Sequence, residues 1–162
     1  DAFGRSVGGS STATANDSIN LAQAALTWIM TDAFRAGSSM SGVQMQYQHR
    51  GHGKYVEIAD MFGWGTLSNF WYSVNLDYMN GKVYYPADVN ADPTDSRILR
   101  LSQAAGVDLR PLIHFWGVLP VSPNTLKTSI QSAGLKPSSL IYDRIKYYQS
   151  LVPSNRAQFT AH

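Results

Sequence analysis

Residues 92–116 read DPTDSRILRLSQAAGVDLRPLIHFW, and Gly117 closes the stretch. Its spacing predicts two short helices folded back on each other. Asp92 is placed to cap the first, and Pro93 stands at the first helical position, where its missing N–H costs nothing. Asp95 falls in the first turn, at the positive end of the helix dipole. Ile98, Leu101, Ala104 and Ala105 recur at helical spacing and make one apolar face, with Gly106 as the stop. Asp108 then reads as the N-cap of a second helix, which carries Leu112, Ile113, Phe115 and Trp116 up to Gly117. Large apolar side chains so dense in so short a helix predict burial, each worth roughly 1.5–3 kcal/mol before entropy is subtracted. The neighbouring helices are expected to pack around this pair.

Working outward, residues 17–35 predict a helix capped by Asp17 or Ser18, with Ile19, Ala22, Leu26, Ile29 and Phe34 on its apolar stripe and Gly37 as its stop. Residues 37–53 (GSSMSGVQMQYQHRGHG) show no clear period and read as a loop. A helix over 54–62 follows, broken by Gly63-Trp64-Gly65, and Thr66 is expected to cap another running to Asn80 with Leu67, Phe70, Trp71, Val74 and Tyr78 facing in. Residues 82–91 read as a connecting loop. Ser122-Pro123 opens a helix that ends at Gly134, and a last helix starts near Ser138 with Leu140, Ile141, Ile145 and Tyr148 inside. Residues 1–16, rich in Gly, Ser, Thr and Ala, are expected to be a flexible lead-in, 17–152 a helical domain and 153–162 a frayed tail. With no sustained strand alternation and no internal repeat, the class is all-α, an irregular bundle of about seven helices.

Composition narrows the function. The 162 residues are 44% apolar and 15% charged, which is globular. A net charge of +2 offers no electrostatic case for nucleic acid. No apolar run approaches the roughly 20 residues of a membrane span. The absence of cysteine excludes disulfides, thiol chemistry and cysteine-type zinc sites. Nine Tyr and four Trp are mostly core material, with the remainder suited to a sugar or peptide groove.

The most chemically capable spot is His49-Arg50-Gly51-His52-Gly53. Two histidines three apart invite a metal, yet zinc needs three or four ligands and no HExxH accompanies them. Contact with a substrate through His49, Arg50 and His52, or a solvated loop, are the other readings. His114 sits among large apolar residues and reads as a half-buried helix residue. Glu57 and Asp60 share a helix face and read as solvated charges, as does Asp77. No phosphate loop and no nucleophile elbow is present. The residues alone describe a helical domain with no catalytic residue and no self-contained active site.

The pattern of Asp92, Arg97, Ser102, Gly106, Asp108, Leu109, Pro111, Phe115, Trp116, Gly117, Val121 and Ser122 resembles the C-terminal helical part of enhancin-type zinc metallopeptidases. Two further pieces stand in the family's order. Asp17-Ser18-Ile19-Asn20 looks like the start of the helix that supplies the third zinc ligand, and Arg50-Gly51-His52-Gly53 with Phe62-Gly63-Trp64 looks like the family's turn near the substrate groove. The resemblance implies a secreted or cell-surface enzyme acting on glycoproteins or mucin-like peptides. It implies the C-terminal subdomain of a zincin-like peptidase, with zinc held only in a parent protein whose N-terminal catalytic part carries HExxH. It places Asp17 where the family has a glutamate ligand, a position that an N-cap explains equally well. It puts His49, Arg50 and His52 beside substrate. The alternatives from other classes are a non-catalytic module binding a glycan or a protein, and a degenerate peptidase-like scaffold.

Overall fold

A computed structural model describes residues 21–40, 47–81 and 93–155, the side chains of 47–52 and of residue 93 excepted. Among the described residues there are eight helices and no strand. They are α1 (Leu21–Ile29), α2 (Asp32–Arg35), α3 (Tyr47–Phe62), α4 (Trp64–Met79), α5 (Pro93–Ala105), α6 (Arg110–Phe115), α7 (Pro123–Ser132) and α8 (Ser139–Ser150). Helix α1 packs on α3 and α8, α3 on α4, α4 on α5, α5 on α6 and α7, and α6 on α8. The all-α expectation holds. None of these helices is long and apolar enough to cross a membrane.

The two helices of the central pair form as their spacing predicts, the Asp92 cap lying outside the described residues, and polar residues fasten the pair. Ser102 Oγ donates to the Ile98 carbonyl at 2.8 Å and accepts the Leu109 N–H at 3.1 Å, tying the end of α5 to the start of α6. Asp108 Oδ1 accepts the Arg110 N–H at 3.0 Å, so it does a capping residue's work although α6 begins one residue later than expected. Gly106, at φ +72°, takes the left-handed turn that lets the Val107 N–H reach the Ser102 carbonyl. The Asp95 carboxylate accepts the Val121 and Ser122 N–H groups at 3.0 and 2.8 Å, holding the entry to α7 against the start of α5.

Helix α6 is the hub. Phe115 stacks on Tyr148 of α8 at 5.4 Å and meets Phe34 of α2 edge-on at 5.9 Å. Trp28 of α1 lies edge-on to Phe34 and donates its indole N–H to the Phe115 carbonyl at 2.5 Å. Trp116 packs on both Phe115 and Tyr148. Gly117, at φ +72°, ends the helix under them. A Cβ there would stand 2.5 Å from Met40 Cβ and 2.8 Å from Trp28 Cζ2, so no larger residue fits.

Three boundaries differ from the sequence reading. The expected single helix over 17–35 divides, because Thr31 Oγ1 donates to the Trp28 carbonyl and accepts the Phe34 N–H, capping a new turn; this is why there are eight helices rather than about seven. Residues 17–20 of that expectation lie outside the described residues, as do the lead-in over 1–16, the loop over 82–91 and the tail from 156. The expected loop over 37–53 is helical from Tyr47, through Gly51 and Gly53. Glycine costs a helix about 1 kcal/mol against alanine, and here packing outweighs it, since Gly53 sits against the Trp116 ring. Finally, Thr66 does not cap α4, which restarts at Trp64 directly after Gly63; its hydroxyl donates back to the Phe62 carbonyl. Tyr78 and Leu140, both expected inside, are exposed.

Candidate functional site

Of the residues singled out by sequence, Asp17 lies outside the described residues. His49, Arg50 and His52 stand in the first turns of α3, so the loop expected to present them is a helix, with His49 one turn ahead of Gly53. Their side chains lie outside those described. Among the described residues no group of three His, Cys, Asp or Glu side chains could hold a metal ion.

The polar centre of the molecule is elsewhere, where α3 meets α8. Glu57, expected in solvent, is fully buried. Its Oε1 accepts from Arg144 Nη1 at 2.5 Å, and its Oε2 accepts the Tyr148 hydroxyl at 2.5 Å. Arg144 Nη2 reaches Asp60 Oδ2 at 2.6 Å, so one guanidinium bridges two carboxylates a turn apart on α3. Burial pushes the Glu57 carboxyl above its ordinary range, against the opposing pull of the Tyr148 hydrogen bond and the Arg144 charge. Burial, then the charge of Glu57, holds the Tyr148 phenol well above its own. Burial pulls the Arg144 guanidinium down, but its bonds to Tyr148 and Asp60 and the Glu57 charge outweigh this and raise it.

This arrangement is closed. Both oxygens of Glu57 are occupied, Tyr148 donates its hydroxyl proton to Glu57, and Arg144 serves Glu57, Asp60 and Tyr148. Neither Glu57 nor Tyr148, both buried, is open as an acid, base or nucleophile toward an outside molecule. What lies over the cluster is a groove of about 400 Å³ between the C-terminal half of α3 and α8, lined by Asp60, Met61, Leu140, Asp143, Arg144 and Tyr147. Its volume is within the range of small binding clefts. Leu140 and Tyr147, two turns apart on α8, expose much of their apolar surface to it, and Asp143 stands between them.

The other perturbed groups belong to the central pair. Burial works to raise Asp108, but the side-chain and backbone hydrogen bonds from Arg110 outweigh it and hold the carboxyl below its usual range. Asp77, expected in solvent, pairs with Arg100 of α5. His114 is half-buried as expected; burial, then the Arg110 charge, lowers its pKa against the pull of Asp108 and Asp95. Its Nε2 and the Trp116 Nε1 are buried with no hydrogen-bond partner.

Sequence reasoning missed the Glu57–Arg144–Tyr148 cluster for a definite reason. Glu57 lies about 100° around the helix from Ile58, outside the narrow apolar stripe, and it is buried because α3 packs on α1 and α4 while Arg144 and Tyr148 of α8 close over the carboxylate. The available signal was weaker: Arg144 and Tyr148 are four apart on one helix and can meet a common partner. No protein-family model matches the chain, and neither a curated protein nor a solved structure is detectably similar to it.

Proposed function

We propose that this chain is a non-catalytic helical module that binds a protein partner, and that the groove between α3 and α8 receives a basic segment of it. The observation that supports the reading is the contrast at this one place. The ionisable groups beneath the groove satisfy one another, while its rim leaves Leu140, Tyr147 and Asp143 unspent. Among the described residues the formal charges here are unbalanced, with Glu57, Asp60 and Asp143 set against Arg144. An arginine or lysine side chain laid along the groove would bury its aliphatic stem on Leu140 and Met61 and set its cation beside Asp143 and the ring of Tyr147. A neutral sugar would use the Tyr147 ring but neither the charge nor the aliphatic wall.

Titrating the chain with short peptides of the type Leu-x-Arg, followed by amide NMR shifts, tests this. The expectation is saturable shifts confined to the ends of α3 and α8, weakened at least threefold by Asp143→Asn and by added salt. Shifts at the same residues with neutral oligosaccharides and none with basic peptides would replace a protein partner by a glycan. The resemblance to enhancin-type peptidases supports a second reading, in which the chain forms one wall of a larger zinc enzyme with Asp17 as a ligand. That reading requires stoichiometric zinc on the chain joined to its upstream sequence, lost in Asp17→Ala.

A further inference from the structure

A carboxylate beside a tyrosine ring occurs twice along the α3–α8 groove, once with a guanidinium in place and once without. In the filled case the Arg144 guanidinium lies 6.0 Å from the centroid of the Tyr148 ring and spans two carboxylates, Glu57 at 2.5 Å and Asp60 at 2.6 Å. The open case is Asp143 with Tyr147, one residue earlier and so about 100° around α8. The two are four apart, which sets carboxylate and ring side by side on one helix face. Both are exposed, Tyr147 at 50%, and both line the groove.

No cation among the described residues fills the open case. Arg144 is turned to α3, and Lys146 gives its ammonium to Gln149 at 3.1 Å. Asp143 has neither an ion pair nor a hydrogen bond from its side chain among the described residues. Asp60 spends Oδ2 on Arg144 and adds its charge from the opposite wall. The charge of Arg144 itself is offset by the two carboxylates that hold it.

We propose that the basic residue this groove takes is an arginine, its guanidinium lying flat on the Tyr147 ring with an N–H edge on Asp143. The proposal rests on the reading of the groove as the site for a basic segment of a protein partner. Shape decides between the two basic side chains. A guanidinium is planar and weakly hydrated, so one group can stack by its face and donate two parallel N–H bonds by its edge. An ammonium is compact and strongly hydrated; at an open rim it keeps its water and gains little from the ring. The molecule already holds Arg144 in the filled version of this arrangement.

Amide NMR titration of the full chain with acetyl-Leu-Ala-Arg-amide, and with the same peptide carrying lysine or citrulline for arginine, reads the preference. Citrulline keeps the planar shape and lacks the charge. The arginine peptide is expected to bind about fivefold tighter than the lysine peptide and about tenfold tighter than the citrulline peptide. In the bound arginine peptide the δ-methylene protons shift upfield under the Tyr147 ring, a reading that needs no variant. Tyr147→Phe keeps the arginine preference, and Tyr147→Leu reduces it to within about twofold while both basic peptides still bind. Equal affinity for arginine and lysine, no upfield shift, or a preference intact in Tyr147→Leu would each overturn the assignment of arginine and leave the basic-segment reading standing. No saturable shift with either basic peptide would remove that reading, and this proposal with it.

Discussion

Replacing Arg144 with methionine tests how the α3–α8 seam is held. The substitution keeps most of the side chain's length and removes its charge. Glu57, with a side chain of zero exposure, then loses the bond to Oε1 and keeps only the Tyr148 hydroxyl on Oε2. Breaking a buried ion pair from one side costs about 3–5 kcal/mol. Arg144 is 26% exposed, so water reaches the vacated position and the low end, about 3 kcal/mol, applies. The Asp60 arm is exposed and adds ~0–1 kcal/mol. The pH dependence identifies the cause. The Glu57 pKa is already raised in the folded protein, and removing the cation raises it further. A group with a raised folded pKa gives stability that is present below its unfolded value of 4.5 and is lost as pH rises through the folded value. The gap between Arg144→Met and wild type is therefore widest near pH 8 and narrows toward pH 5 as Glu57 takes up a proton. Urea unfolding at the two pH values reads it, and Glu57→Gln added to Arg144→Met should recover about half the loss, since it removes the stranded charge. A loss below about 1 kcal/mol at pH 8, or a gap independent of pH, would refute the reasoning.

Other substitutions bear on single features. Gly117→Ala forces a Cβ into Met40 and Trp28 at a left-handed position and is expected to cost at least ~3 kcal/mol in urea unfolding. Gly53→Ala meets the Trp116 ring at 3.6 Å, an ordinary contact, and removes a helical glycine; thermal unfolding should show a gain of about 0.5–1 kcal/mol. Burial depresses the pKa of His114, so its contribution to stability is complete above the ordinary value of 6.5 and is lost as pH falls through the lower folded value. Wild type should therefore lose stability between pH 6.5 and the folded value more steeply than His114→Gln, as compared by urea midpoints at matched pH.

The central pair was legible because its signals are local. Asp108 and Gly106 act within a few residues of their partners, and the density of apolar side chains in residues 109–116 allows only burial. The helix beginning at Tyr47 was not legible. Glycines at 51 and 53 argue against a helix in isolation, and the Trp116 ring that favours one lies more than sixty residues along the chain. The division at Thr31 was hidden for the converse reason, since the apolar stripe continues through the break and a single hydroxyl decides it. The candidate site was the least legible part. A carboxylate such as Glu57 carries the same letter in solvent as in a core, and only Arg144 and Tyr148 tell the two apart.

The distance along the chain from Glu57 to those partners also bears on how the molecule is made. Arg144 and Tyr148 lie 87 and 91 residues downstream of the carboxylate they close. On a ribosome, α3 emerges long before α8 and must stay hydrated, because burying Glu57 without a cation is costly. Trp28 waits in the same way for the Phe115 carbonyl, 87 residues on. Neither of these two buried groups is satisfied until the later helices have been made. The seam between α3 and α8 therefore closes only once α8 has been made.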